Sequence, residues 1–140
     1  MKTLQLINAV STTKTDEKKY MEFIVSGEPL QNIIKINPTQ LITPFGWGAN
    51  KEYEKEVLHI FTFRRKPHLE TGRVMLYVCR ACGGIDCGAV TAKILDAGAN
   101  IVWKDFGYET GYEGISELFH NIEPITFERQ SYFQAFSKLK

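Results

Sequence analysis

The sequence predicts an α+β fold in which a central, mainly antiparallel β-meander packs against two or three helices within a single domain, residues 1–140. A length of 140 residues is ordinary for one domain and is enough to bury a hydrophobic core. Hydrophobic residues make up 44% of the chain and charged residues 24%, which is typical of globular proteins. Strand-like and helix-like segments alternate without the regular spacing of βαβ units, which favours an antiparallel sheet.

Two strands and a short helix are predicted in the first quarter of the chain. The aromatic and β-branched residues of 20–27 are typical of a strand, and weaker alternation over 3–10 indicates another. The polar residues 11–19 between them predict a turn or an exposed loop. Ser26 is placed to cap a helix that has Pro29 in its first turn and packs its apolar residues on a sheet.

A structured loop and the clearest helix follow. Prolines and glycines interrupt any regular element in residues 37–50. Within this loop Phe45 and Trp47 are expected either to pack back on the core or to form a lip that binds a ligand or partner. Residues 51–63 carry apolar side chains at helical spacing, with glutamate and lysine on the other faces, and this pattern predicts an amphipathic helix.

From residue 73 onward the hydrophobic period becomes two. Residues 73–81 are apolar on both faces, as expected for a central strand, and residues 88–95 and 101–106 complete a β-meander. The rest of the chain predicts a loop, a short helical turn, a brief strand and a C-terminal helix, over residues 107–114, 115–120, 123–128 and 129–140.

All three cysteines lie in the predicted turn between the first two strands of the meander: Cys79, Cys82 and Cys87. A C-x-x-C pair followed by glycine is the local geometry of a zinc knuckle, and Cys87 offers a third sulfur. A closed zinc site needs a fourth ligand, and the candidates, none at a diagnostic spacing, are His59, His68, His120 and Asp86.

Two other roles for the cysteines remain open. Thiol redox chemistry needs a thiolate at a helix N-terminus, and the glycines after Cys82 are a poor helix start. A tight turn between central strands needs small side chains, and cysteine is small, apolar and commonly buried. The sequence favours this packing role.

Composition and motifs exclude several function classes. A formal net charge of +1 gives no electrostatic footprint for nucleic acid. No apolar run approaches the roughly 18 residues of a membrane span, and the N-terminal segment does not resemble a secretory signal. We therefore expect a cytoplasmic protein with reduced thiols and neither a nucleic-acid nor a membrane partner. Phosphate-binding loops, nucleophile elbows and histidine pairs on a helix are absent, so no reaction is indicated.

Three segments of the C-terminal half form a recognisable pattern: YVCRACGGIDCGAVTAKI, VWKDFGYET and PITFERQSYFQAF. Together with PFGWG in the first half, they resemble a family of small, poorly characterised bacterial proteins. Some members carry an oxidoreductase label, and others resemble immunity proteins, such as those of contact-dependent growth inhibition, which act against toxins in bacterial competition. The resemblance implies no catalytic residue.

Size, the lack of catalytic motifs and this resemblance predict a non-enzymatic cytosolic immunity protein that binds and neutralises a bacterial toxin domain, without a cofactor. The alternatives are a thiol-dependent oxidoreductase and a zinc-stabilised binding scaffold, both using the cysteine cluster. Aromatic and arginine side chains are the usual anchors of protein interfaces. The predicted partner-binding residues are Trp47, Arg64, Tyr108 and Tyr112.

Overall fold

The computed structural model describes residues 1–48, 50–81, 83, 85–112 and 114–139, without the side chain of Asp86. Within these ranges the chain forms two sheets of antiparallel strands and three α-helices. The predicted α+β class is therefore confirmed.

The first sheet has the strand order β1 (Leu4–Thr12), β2 (Glu17–Val25) and β3 (Glu28–Pro29). β1 and β2 pair along the whole nine-residue length of each strand without a bulge. The turn between them is therefore shorter than the polar segment predicts. The two strands differ in burial: most side chains of β1 beyond Leu6 are exposed or partly exposed, whereas β2 is buried from Glu22 to Val25.

The second sheet contains the meander. Its order is β4 (Leu41–Ile42), β5 (Val74–Cys79), β6 (Ala89–Asp96), β7 (Asn100–Thr110) and β8 (Gly114–Leu118), and β9 (Ile125–Glu128) also pairs with β7. The antiparallel pairs β5–β6 and β6–β7 confirm the predicted meander.

The helical turn predicted over residues 115–120 is wrong, because these residues form most of β8. Ile115 pairs with Glu109 and Leu118 pairs with Gly107, so β7 continues through much of the predicted loop. A short segment with weak helical preference gains more backbone hydrogen bonds by pairing with the open side of β7 than by one isolated helical turn.

The three helices are α1 (Leu30–Ile34), α2 (Lys51–Phe61) and α3 (Arg129–Ser137). The side chain of Asn50 caps α2 by accepting a hydrogen bond from the Tyr53 amide at 3.0 Å. None of the helices in the described ranges is long and apolar enough to span a membrane.

Ser26 does not cap α1, contrary to the prediction. It lies in the tight turn after β2 with a φ of 47°, and its hydroxyl accepts a hydrogen bond from the Thr3 amide at 3.1 Å. Pro29 is the residue before the helix, which begins without a side-chain cap.

An aromatic cluster joins both sheets to α2 and α3. Phe23 of β2 contacts Phe61 of α2 at a ring-centroid distance of 5.7 Å and Trp103 of β7 at 5.2 Å, edge to face with the latter. Phe45 is fully buried and contacts Phe61 at 5.3 Å, so this residue of the proline-rich loop belongs to the core. Such contacts add to the hydrophobic free energy of burying the rings.

A buried ionic network fixes the meander. Arg73, just before β5, is 1% exposed and donates from Nε to the Thr91 hydroxyl at 2.9 Å and from Nη2 to the Thr91 and Asp105 carbonyls. Its Nε lies 3.5 Å from the Glu109 carboxylate, which also accepts hydrogen bonds from the hydroxyls of Thr71 and Thr91. The guanidinium therefore links three consecutive strands near the irregularities in the β6–β7 pairing.

Candidate functional site

A groove of about 900 Å³ lies between α2 and α3. Its walls carry both apolar and basic side chains. The apolar ones are Phe45, Leu58, Phe133, Phe136 and Leu139, and the basic ones are Lys51, Lys55, His59 and Arg64. We call this surface the α2–α3 groove.

Helical periodicity places these side chains. Lys51, Lys55 and His59 are four residues apart and share one face of α2, whereas Val57 and Phe61 of the same helix are buried. In α3, Tyr132 and Phe136 are buried, whereas Phe133 is only partly covered. The groove is therefore formed by the side of each helix that lies next to its buried face.

The groove carries an excess of positive charge. Among the described lining residues Glu54 is the one carboxylate, and it accepts a hydrogen bond from the backbone amide of Gly46. None of the ion pairs in the described part of the chain involves Lys51, Lys55 or Arg64. Three cations next to an apolar floor thus face solvent.

The hydroxyl groups of the groove are already engaged. Thr62 donates to the carbonyl of Leu58 at 2.9 Å, and Ser137 donates to the carbonyl of Gln134 at 2.8 Å. Both bonds lie within or next to the helices, so neither hydroxyl is paired with His59 as a nucleophile would be. The arrangement suits binding through apolar contact and charge.

The cysteine turn lies at the end of β5. Cys79 is the last residue of β5 and is half-buried, and Cys87 ends a 3-10 turn (Ile85–Cys87) and is exposed. Cys82 lies outside the described residues. The hydroxyl of Tyr108 donates to the Cys87 carbonyl at 3.1 Å, which attaches the turn to β7.

Among the described residues, no group of three histidine, cysteine, aspartate or glutamate side chains could hold a metal ion. His59 lies on the α2–α3 groove, and His68 lies 3.4 Å from the Glu56 carboxylate. His120 is an exposed residue after β8, and the side chain of Asp86 is outside the described part. Zinc binding and thiol chemistry stay predictions, because Cys82 is needed to test either.

The structure separates the four predicted partner-binding residues. Arg64 lines the α2–α3 groove. Trp47 is half-buried, with its indole N–H donating to the Thr43 carbonyl at 2.8 Å and the ammonium of Lys18 4.4 Å from its ring centroid. Tyr108 is held at the cysteine turn, and Tyr112, 85% exposed, lies beyond the end of β7.

Sequence reasoning did not identify Lys51, Lys55 and Phe133 as part of a site. The four-residue spacing of the two lysines was visible in the sequence, as was the apolar side of the C-terminal helix. No sequence signal showed that these two helices lie side by side, since that depends on the topology of the sheets between them.

The most perturbed carboxyl group is Glu22 of β2, which lies outside the groove. It is 2% exposed and accepts hydrogen bonds from the Tyr77 hydroxyl at 2.6 Å and the Phe23 amide at 2.9 Å. Its Oε2 has no hydrogen-bond partner in the described structure. Burial raises the pKa of Glu22 to about 7, and the hydrogen bonds from Tyr77 and Phe23 oppose that rise. Glu22 therefore connects the two sheets through the hydrogen bond that it accepts from Tyr77 of β5.

A substitution at Gly88 tests whether the contact with Tyr108 stabilises the cysteine turn. Its φ is +89°, and a β-carbon there would overlap the hydroxyl end of Tyr108. The replacement Gly88→Ala is expected to cost about 1–2 kcal/mol for the left-handed backbone, plus about 1 kcal/mol for the lost Tyr108–Cys87 hydrogen bond.

Gly98→Ala is the matched control for that variant. Gly98 has a similar φ of +85° but has no atom within 4 Å of the added carbon. Urea denaturation should therefore show Gly88→Ala to be the less stable variant. Equal stabilities would contradict the role given to Tyr108.

Comparisons with protein-family models, with curated proteins and with solved structures found no match to this chain. The resemblance to a bacterial family therefore stays a prediction that depends on the three segments quoted above. The groove has to be interpreted from its own chemistry.

Proposed function

We propose that this chain is a non-enzymatic binding protein of the immunity type, which neutralises a bacterial toxin domain in the cytoplasm, and that the α2–α3 groove contacts the toxin. The observation that supports the proposal is an apolar floor beside three cations, Lys51, Lys55 and Arg64, which form no ion pair in the described part of the chain. This combination gives a protein partner both an area to bury and a charge to match.

The apolar floor accounts for affinity. Phe133 and Leu139 are only partly covered by the chain itself, next to the buried Phe45 and Phe136. Aromatic and aliphatic side chains of a partner that fill such a concavity are typical interface hot spots. A groove between two helices also suits an amphipathic segment that lays its apolar side into it.

The cationic rim accounts for selectivity. Lys51, Lys55 and Arg64 favour a partner segment with acidic residues beside its apolar ones. The overall charge of +1 would contribute little to attraction, so the local excess at the groove sets the orientation of the encounter.

Co-expression tests the proposed function. The chain is produced together with a candidate toxin domain from a gene adjacent to its own, and growth is followed as the molar ratio of the two proteins is varied. We expect protection in proportion to the amount of chain, with a complex of one chain per toxin domain on gel filtration. Protection at amounts far below that of the toxin would indicate catalysis, and the absence of a complex would contradict binding.

Neighbouring arginines test the binding face. Arg64 lines the groove, whereas Arg65 lies 3.9 Å from the Glu56 carboxylate and is not among the lining residues. Arg64→Ala is expected to weaken toxin binding about 10-fold or more, as truncation of an arginine anchor does. Arg65→Ala, with the same change in net charge, should weaken it less than about 3-fold. Calorimetry measures both, and equal losses would contradict the assignment of the groove.

A further inference from the structure

The outer edge of β1 is open to pairing. β1 is the first strand of its sheet, and among the described residues its strand partner is β2 alone. The backbone amide of Leu4 donates outward to the Ser131 hydroxyl of α3 at 2.9 Å, so the Leu4 peptide groups point away from β2. Because this direction alternates along a strand, the amides and carbonyls of Leu6, Asn8, Val10 and Thr12 also point outward. The described hydrogen bonds give these groups no partner.

β1 lacks the features that protect sheet edges from pairing. Its sequence, LQLINAVST, contains no charged residue, no proline and no glycine, and its pairing with β2 is unbroken. Ile7 and Val10 are 47% and 52% exposed on it. Natural edge strands are normally short, charged, bulged or covered.

The other described edge strands are protected in these ways. β3 and β4 are two residues long, and β3 contains Pro29. β8 is five residues long and carries Glu117 beside a pairing irregularity. β9 is covered by Lys2, whose amide donates to the Thr126 carbonyl and whose carbonyl accepts from the Glu128 amide, both at 2.8 Å.

We propose that the β1 edge binds the β1 edge of a second copy of this chain. The two strands run antiparallel about a two-fold axis at Ala9 and join two three-stranded sheets into one. This inference does not depend on the proposed function.

The register follows from which groups are open. Ser131 covers the edge at Leu4, so the open groups belong to Leu6, Asn8, Val10 and Thr12, which are symmetric about Ala9. An axis at Ala9 pairs Leu6 with Thr12 of the second copy and Asn8 with Val10, so all four residues of each copy find partners.

The identity of the two edges favours a second copy over a different strand. Lysines or glutamates that lie opposite their own equivalents repel each other when a strand pairs with its own copy. β1 contains no charged residue, so this pairing has no such repulsion. The pairing also covers Val10 and brings Ile7 beside the second copy's strand, which accounts for two exposed β-branched residues.

Charge exchange at Asn8 tests the proposal. Asn8 is exposed in the single chain, so Asn8→Lys and Asn8→Glu should each fold, with circular dichroism and melting temperature as the check. In the dimer each variant places its two like charges at diagonal positions across the axis, on the same face of the joined sheet. Analytical ultracentrifugation is expected to show a dimer for the natural chain, monomers for each variant alone, and a dimer for their equimolar mixture. Asn8→Thr is the uncharged control and should remain dimeric.

Three results would overturn the inference. The natural chain could remain monomeric over the whole concentration series. The two charged variants could dimerise as the natural chain does, which would place the interface elsewhere. The mixture of folded Asn8→Lys and Asn8→Glu chains could stay monomeric, which would contradict pairing about Ala9.

Discussion

Replacing Arg73 with methionine is expected to lower the free energy of unfolding by about 3–5 kcal/mol, the usual effect of removing one partner of a buried ion pair. Arg73 is 1% exposed and Glu109 is 3% exposed, so water cannot replace the lost guanidinium. The carbonyls of Thr91 and Asp105 would also lose their donors. The cost comes mainly from burying an uncompensated Glu109 carboxylate.

Urea denaturation of two further variants tests that explanation. Arg65→Met removes an arginine whose partner, Glu56, lies 3.9 Å away at the half-exposed surface, and it should cost less than about 1 kcal/mol. In Arg73→Met/Glu109→Gln no charge is left unpaired, so much of the lost stability should return. A double variant as unstable as Arg73→Met would contradict the attribution to Glu109.

Glu22 is expected to make the protein less stable as pH rises. Burial raises its folded-state pKa to about 7 from the 4.5 of a solvent-exposed glutamate, so the folded chain holds the proton more tightly than the unfolded chain. The stabilisation is complete below the unfolded-state pKa and is lost as pH rises through the folded-state pKa. A pKa difference of this size corresponds to about 3 kcal/mol.

The variant Glu22→Gln should remove that pH dependence, because an amide does not ionise. Urea denaturation at a series of pH values from about 4 to 8 compares it with the natural chain. Glu28→Gln, at an exposed position of the same sheet, is the control and should keep the natural pH dependence. A Glu22→Gln variant that loses as much stability with rising pH as the natural chain would contradict the role of Glu22.

The meander and α2 were predictable from the sequence because their hydrophobic periods are unambiguous. Residues 73–81 alternate with apolar side chains on both faces, and residues 51–63 repeat at helical spacing. The prediction failed at Ile115–Leu118, where the intrinsic helix preference is weak and pairing with the open side of β7 determines the secondary structure. It failed at Ser26 because a turn required that residue in a left-handed backbone.

The site was only partly predictable. Arg64, a predicted anchor, lines the α2–α3 groove, but Trp47 and Tyr108 use their polar atoms within the chain, on Thr43 and Cys87. A sequence does not show whether an indole or a phenol is already hydrogen-bonded. The groove requires α2 and α3 to be neighbours, although most of the second sheet separates them along the chain.

Lysine footprinting of the toxin complex tests the central claim most directly. Acetylation rates of individual lysines are measured by mass spectrometry for the chain alone and for the complex. Lys51 and Lys55 report on the groove, whereas Lys18 reports on the surface of Trp47 near the cysteine turn. We predict strong protection of Lys51 and Lys55 with Lys18 unchanged. Protection of Lys18 with Lys51 and Lys55 as reactive as in the chain alone would contradict binding through the α2–α3 groove.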